Sequence, residues 1–400
     1  MGEVIKTDVC IIGSGPGGML LSLLLVKEGF KVLLVDRQLE FGREFRGEFL
    51  QPGALQLMQN LGILEAIKQK GEPVKRYQIL DKNKVILSFA FDELAGNFNE
   101  GINVSQTHVL QLMLDKCKEY EGFVFKPGYA SSKLIEIQGD VHGVTIKSKD
   151  GKTIDVQSKL VVGADGRASH IRKLAGVPVY KHAFQMDILW TKIPKPENWE
   201  QKIEVRIHEA GYLVLMPSYP NKLQLGIDMP KGGLKMLHSQ SIEELTKQLV
   251  KVIPEAEKEL TQSLTSWSVF HPLSVTGALA TTWYKNGLVL IGDAAHTIGP
   301  IAGQGIAQAM KDAVILTSHL RDNLSEQIVS ERVLSKFQDE RFDEVKALYK
   351  LQSMQERLLM AKFAGGKIYR RFVYFMMNNT PLRRKMAKNM TMRDIESQLT

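Results

Sequence analysis

Two glycine-rich clusters stand far apart in the chain: Gly13-Ser14-Gly15-Pro16-Gly17-Gly18, and Gly292-Asp293 followed by Gly303-Gln304-Gly305-Ile306. Backbone stripped of side-chain bulk at the mouth of a helix suits one kind of chemistry, the approach of an anion to free N–H groups. In the first cluster each glycine has a separate task. Gly13 makes a tight turn, Gly15 lets a pyrophosphate come close to the backbone, and Gly18 lets helix and strand pack together. Asp36 ends the next apolar run and is placed to accept from a ribose hydroxyl; Arg37 borders the same site and faces solvent if Asp36 takes the 2′-hydroxyl.

The elements that must position these residues are legible as apolar runs. Asp8 to Ile12 predicts a strand, Met19 to Glu28 a helix stopped by Gly29, and Lys31 to Val35 a second strand, which is the order a dinucleotide clamp requires. Leu160 to Gly163 predicts a buried strand entering the turn Gly163-Ala164-Asp165-Gly166-Arg167-Ala168-Ser169, with a helix from His170 that carries Arg172. Leu288 to Ile291 predicts another strand, with Gly292-Asp293 at its end and a helix beginning near Gln304. Residues 73–95 and 179–275 alternate apolar and polar and break at Pro, Asn and Gly, the pattern of antiparallel strands, with a helical interlude after Ser241.

With 400 residues, 44% of them hydrophobic, the chain can bury a large core in two or three domains. Only Cys10 and Cys117 are present, without metal-site spacing, so neither a disulfide framework nor a metal centre is expected. The longest early apolar run, Met19 to Val26, is too short to span a bilayer, and no basic leader precedes the first strand, so cytoplasmic residence is expected. The net charge of +8 is concentrated: Lys362 to Arg393 holds nine Lys or Arg and no acid, leaving about −1 elsewhere. A basic tail on a nearly neutral body does not describe a nucleic-acid-binding module.

Three motifs in order, GSGPGG at 13–18, GADGRAS at 163–169 and GDAAHTIGPIAGQG at 292–305, make the chain resemble the FAD-dependent single-component aromatic hydroxylases, the group of p-hydroxybenzoate hydroxylase and the ubiquinone-biosynthesis hydroxylases. Arg46 in FRGEFLQPGAL and Gln106 in VSQTHVLQLML add to it, and the resemblance covers about residues 5–340. It implies one FAD spanning both clusters: Gly13, Gly15, Pro16, Gly17, Gly18 and Asp36 at the adenosine end, Arg46 and Gln106 along it, and Asp165 near the pyrophosphate. Gly292, Asp293, Gly303, Gln304, Gly305 and Ile306 then hold the ribityl and flavin end, with Pro300 beside the ring. The helix starting near Gln304 would aim positive potential at the part of the ring that gains negative charge on reduction. Two departures stand out: Gly299-Pro300 where the family commonly has Pro-Pro, and Ala307 where it has Asn.

The fold implied is α/β: a Rossmann-type FAD-binding domain (1–72 with 101–178 and 276–340), a mainly antiparallel β substrate domain (73–100 with 179–275) and C-terminal helices (341–400). The resemblance implies an NADH- or NADPH-dependent monooxygenase that uses O2, through a flavin C4a-hydroperoxide, to hydroxylate an aromatic or lipophilic electron-rich molecule. Pro300, His208, Tyr212 and His271 are the candidate catalytic contacts, with Trp190 beside them; sheet packing is the competing role for each of the last four. LWTKIP matches a halogenase W-x-W-x-I-P motif only at Ile193-Pro194, with Leu189 and Thr191 at the tryptophan positions. A geranylgeranyl-reductase-like enzyme acting without oxygen insertion and a non-enzymatic flavin module are the alternatives. The stretch 362–393 joins an aromatic, Met-rich face to clustered cations, so either peripheral membrane contact or core packing is expected of it.

Overall fold

The computed structural model describes residues 3–42, 48–93, 97–209, 211–233, 241–324, 327–360 and 365–380. Arg46 and the segment 381–393, both singled out above, lie outside the described residues. The first apolar run forms the strand Glu3–Ile12, whose last four residues are buried, and the glycine turn leads it into helix α1 (Pro16–Lys27). The helix begins three residues before the apolar pattern does, because Pro16 already has a helical φ and its missing N–H costs nothing at a first position. Val32–Asp36 returns parallel to the first strand, Val9 opposite Val32 and Ile12 opposite Val35.

Thr153–Gly163 lies parallel on the other side of Glu3–Ile12, Leu288–Leu290 beyond it, and Phe123–Pro127 beyond Val32–Asp36. With Tyr129–Ile137, Asp140–Ser148 and Tyr284–Lys285, all antiparallel to their neighbours, these strands make an eight-stranded sheet. Covered on both faces, its central strands read as continuous apolar runs. The covering elements include α1 and the short α5 (His170–Leu174), with α4 (Gln106–Cys117) packed on α1, while α2 (Pro52–Asn60) and α3 (Leu64–Gln69) pack on a small sheet of Phe49–Leu50, Gly101–Val104 and Gly71–Val74.

The alternating stretches fold as a seven-stranded sheet in the order His271–Leu273, Met186–Pro194, Lys222–Pro230, Tyr212–Ser218, Lys202–Ile207, Arg76–Asp81, Lys84–Ala90. Five pairings are antiparallel; Lys202–Ile207 runs parallel to Arg76–Asp81, since the chain between them passes through the other sheet rather than a hairpin. Period-two alternation gives this sheet two cores. On one face Leu189, Ile193, Leu213, Leu215, Leu223 and Leu225 pack against α6 (Ile242–Val252) and α7 (Glu257–Ser263). On the other, Ile188 and Trp190 meet Phe184 and Val275, while Ile203, Val205, Ile207 and Tyr212 meet C-terminal helices.

Those helices join the two halves. After α8 (Gly305–Leu320), the 30-residue α9 (Glu331–Met360) buries Val333, Phe337, Val345 and Tyr349 in the first core and Leu358 and Leu359 in the second. One helix therefore runs across residues 340–341, and α10 (Gly366–Asn378) follows it. No helix among the described residues is long and apolar enough to cross a membrane, and no described group of His, Cys, Asp and Glu could hold a metal ion. Cys10 and Cys117 are free and buried, and burial pushes both thiols up, Cys117 to about 12, so neither is a nucleophile.

Candidate active site

The first turn is built from backbone contacts. Gly13 sits at φ +111°, and a Cβ there would stand 2.3 Å from the carbonyl oxygen of Ala164; a Cβ on Gly18 would stand 2.0 Å from that of Gly13. Gly15 differs, since a Cβ on it would meet nothing within 4 Å. The N-terminus of α1 has no side-chain cap and no acid in its first turn, and among the described residues nothing fills the space beside Gly15. Buried Asp36 accepts from the backbone N–H and hydroxyl of Ser14 through Oδ2, both at 2.7 Å, and from the N–H of Gln38 through Oδ1 at 2.9 Å. A carboxylate has about four lone-pair sites, so a ribose hydroxyl can still be accepted. Arg37 is exposed.

Beside this turn a cavity of about 470 Å³ is lined by Ser14, Gln38, Phe41, Thr107, Gln111 and Phe125, among others. That volume and its aromatic wall suit a nucleoside. A second, narrow cavity brings together Pro16 from α1, Gln106 from α4 and Ile306 from α8, with Glu48 and Leu50. Because Gln106, Thr107 and Gln111 are successive positions along α4, the two cavities follow one helix. The path runs from the first turn towards the second.

The second turn is held by side chains from elsewhere. The N–H of Gly292, at φ +56°, donates to Asp312 Oδ2 of α8 at 2.7 Å. The other partners of Asp312 are His296 Nε2 at 2.6 Å and Arg341 Nε of α9 at 2.8 Å, and all three groups are buried. Burial alone would raise the Asp312 carboxyl, but His296 and Arg341 outweigh it and hold it at about 2. Arg341 also donates to Gln308 Oε1 at 2.5 Å and pairs with Glu344. His296 thus supports the turn, as a packed residue. Arg172 ties α5 to the same turn by donating to the carbonyl of Ala294 at 2.6 Å, and Asp293 receives Arg167 Nε at 3.3 Å.

The loop that carries Pro300 is clamped from α9. Gln352, fully buried, accepts from the N–H of Gly299 at 2.9 Å and donates to the carbonyls of Gly299 at 2.9 Å and Ile301 at 3.1 Å. The Tyr349 hydroxyl, pushed up by burial, donates to the carbonyls of Ala278 at 2.8 Å and Thr297 at 2.5 Å. Past this loop Gly303 has φ +62°, and neither Gly303 nor Gly305 has anything within 4 Å of where a Cβ would stand. No side chain caps α8 at Gln304. Both turns rest on one residue: Ala309 of α8 lies 3.0 Å from the Cβ position of Gly17 through its carbonyl and 3.1 Å from that of Gly292 through its methyl. Open space over Gly15, Gly303 and Gly305, two uncapped helix N-termini and a nucleoside-sized cavity are what an elongated dinucleotide needs, so these residues fit FAD.

Asp165 has a structural task. It accepts from Ser169 Oγ at 2.5 Å and from the N–H groups of His170 at 2.6 Å and Ile171 at 3.1 Å, which fixes the start of α5. On the substrate side, Trp190 and Ile188 point from the seven-stranded sheet to the core that holds Phe184, whose ring fills the space beside Gly299. Tyr212 is buried, donates to the Met186 thioether, and is held well above its ordinary pKa by burial and by Asp228. His208 stands at the hairpin end of Lys202–Ile207, and His271 pairs with Trp190 at the sheet edge. The structure thus brings Trp190 to the loop of Pro300 through Phe184 and leaves His208 and His271 at the sheet's margins.

Several supporting residues escaped the sequence reading. Glu48 is buried and receives Lys192 Nζ at 2.8 and 2.9 Å and Ser218 Oγ at 3.2 Å, linking the narrow cavity to the seven-stranded sheet. Glu356, buried on α9, accepts from the N–H of Gln185 at 2.8 Å, and burial raises its carboxyl. Asp312 left one signal, an acid within the apolar run of α8; Arg341, Gln352 and Glu356 left none.

A model of the FAD binding domain family matches residues 6–351. The chain is 32% identical over 393 residues to the 6-methylpretetramide 4-monooxygenase of Streptomyces rimosus, covering 97% of this chain and 93% of that protein. It is 27% identical over 315 residues to the digeranylgeranylglycerophospholipid reductase 2 of Methanococcoides burtonii, covering 76% and 72%. The crystal structure of P. aeruginosa PqsL in complex with 2-aminobenzoylacetate is similar in fold, with a TM-score of 0.80 at 20% identity over 93% of this chain and 100% of that one. With both glycine turns, the bridging cavities and these relatives in agreement, the chain belongs to the FAD binding domain family and is an FAD-dependent monooxygenase.

Proposed function

We propose that this enzyme uses NADH or NADPH and O2 to hydroxylate an aromatic or lipophilic electron-rich small molecule, held between the seven-stranded sheet and the loop of Pro300. The observation that carries this reading is the buried aromatic and apolar cluster of Ile188, Trp190 and Phe184 packed beside Gly299. Surroundings of this kind keep water out and suit a flat, apolar substrate next to them. The relative named for 6-methylpretetramide and the fold neighbour bound to 2-aminobenzoylacetate favour an aromatic substrate.

Bound FAD would supply the redox chemistry, accepting hydride from the nicotinamide and activating oxygen for transfer to an electron-rich carbon. The protein's part is to hold and orient. In this reading Gly13, Gly15, Pro16, Gly17, Gly18 and Asp36 hold the adenosine and pyrophosphate, Gln106 the middle, and Asp293, Gly303, Gln304, Gly305 and Ile306 the far end. The N-terminus of α8 adds positive potential where negative charge collects. Tyr212 keeps its proton near neutral pH and serves as a neutral donor or a wall, not as a base. The sheet strands from 76–90 and 186–273 form the substrate side of this division, and the eight-stranded sheet the cofactor side.

The test is turnover with reduced nicotinamide, candidate phenols and 18O2. Label in the product is expected, and no product without oxygen. Product formed anaerobically, carrying no label, would overturn the reading in favour of a reductase like that of M. burtonii.

A further inference from the structure

We propose that α10 is an interfacial anchor whose exposed face binds an anionic lipid surface. The helix is fixed to the protein along one side. Arg370, buried, pairs with buried Asp81 at 3.1 Å and donates to the carbonyl of Leu359 at 3.2 Å, Arg371 reaches Asp81 at 3.3 Å, and Tyr374 is buried in the second core. The other side is left uncovered: Ile368 is 76% exposed, Tyr369 53%, Phe372 62%, Phe375 61% and Met376 43%. These are five of the thirteen large hydrophobics exposed among the described residues, and they fall within nine positions. Ile368 lies four residues before Phe372, and Phe375 and Met376 lie three and four after it, which puts the four on one stripe.

A contiguous apolar stripe of this kind marks a binding surface, and its composition selects the occupant. The stripe holds two phenylalanines with exposed Tyr369 beside them, and aromatic side chains favour the boundary between lipid headgroups and acyl chains. Arg370 is engaged with Asp81, so the helix offers exposed Lys367 and Arg371 to a surface and carries no acid, and it lies inside the stretch 362–393 with its nine cations and no acid. The strand packed beneath it, Lys84–Ala90, presents exposed Val85 next to Lys84. A second copy docked by the same face would oppose cation to cation, whereas an anionic bilayer satisfies stripe and charge together. The inference does not rest on the reaction chemistry, and its readout is not activity.

The full FAD-loaded chain is sedimented with vesicles of phosphatidylcholine, with and without phosphatidylglycerol. Binding to the anionic vesicles is expected to exceed binding to the neutral ones by about tenfold or more, since each cation near the surface adds attraction. The double variant Phe372→Ser/Phe375→Ser changes two exposed side chains without altering the charge, so it should keep its fold and FAD content and lose that binding by about tenfold or more. Three results overturn the proposal: no partition onto any vesicle; vesicle binding unchanged in the double variant, which would locate the attraction in charge alone; or a wild-type dimer that the double variant converts to monomer, which would assign the stripe to a second copy.

Discussion

At the first glycine turn the constraints are backbone against backbone: Gly13 against Ala164, Gly18 against Gly13, all within elements adjacent in the sheet. At the second, the chain between Gly292 and Gly305 is held by Asp312, Arg341, Gln352 and Tyr349, from helices that begin after it. The first turn is thus held mainly by backbone packed against backbone, Ala164 and Ala309 included, and the second mainly by side chains from α8 and α9. A backbone clamp tolerates no added side chain; a side-chain clamp is sensitive to residues that touch no ligand. Substitutions at the two turns should separate these behaviours.

The largest effect is expected from Gly18→Val. With a backbone oxygen 2.0 Å from the Cβ position there is no flexible group to yield, so a loss above about 4 kcal/mol is expected, enough to unfold the domain. Urea denaturation measures it, and a folded variant with the parental midpoint would break the account of the first turn. Next comes Arg341→Ala, which strands a buried Asp312 without its cation and should cost about 3–5 kcal/mol. Asp312 supplies a pH signature as well. Its folded pKa, about 2, lies below the ordinary 3.8, so the unfolded chain takes up its proton first as pH falls. The stability this group adds is complete above about pH 4 and lost as pH drops towards about 2, on the order of 2 kcal/mol in all. Asp312→Asn should flatten stability over that window; an unchanged acid limb would show that the carboxyl is not held low.

Gly15→Val is the counterpart to Gly18→Val. The residue's extended backbone suits any side chain, and its Cβ meets only open space, so the apo protein should stay within about 1 kcal/mol of the parent. The side chain would occupy the pyrophosphate's place, and FAD affinity should fall by about a hundredfold or more, as measured by fluorescence titration. Full FAD occupancy in a folded Gly15→Val protein would sink the assignment of this turn to the cofactor.

The same division explains what could be read without coordinates. Strand, turn, helix and strand in residues 8–36 declare themselves because a buried parallel strand is a continuous apolar run and because Gly13 and Gly18 have no substitute there. The alternating sheet was equally plain, apart from its one parallel pairing, which depends on where the chain goes in between. Arg341 and Gln352 were not legible: in the sequence of α9 they are two polar residues among many on an amphipathic helix. Only packing against α8 and the 299–301 loop makes them buried partners. Asp165 reads as a ligand contact by motif, yet the structure gives it the N–H groups of α5 to hold.

Gln352→Ala should have a modest effect on stability and the most selective one on function. Its amide satisfies one N–H and two carbonyls of the Pro300 loop, and losing a partner to buried backbone groups costs on the order of 1–3 kcal/mol each before relaxation. The loop can recover much of this by shifting or by admitting water into the space the amide leaves. Such a shift moves Pro300 and Ile301 while the first turn, held by Ala164, Ala309 and Asp36, keeps its shape. The adenosine end should therefore go on holding FAD, with Kd changed less than about threefold, while kcat falls about tenfold or more, because misplacement by a fraction of an ångström suffices at a reacting centre. Gln352→Glu keeps the acceptor for Gly299 but sets a buried carboxylate oxygen against the carbonyls of Gly299 and Ile301, so it should disturb the loop at least as much as alanine does. Stopped-flow reduction and reoxidation beside a binding titration distinguishes the cases: weakened FAD binding with kcat intact would mean that α9 supports the cofactor's grip rather than the geometry of the loop.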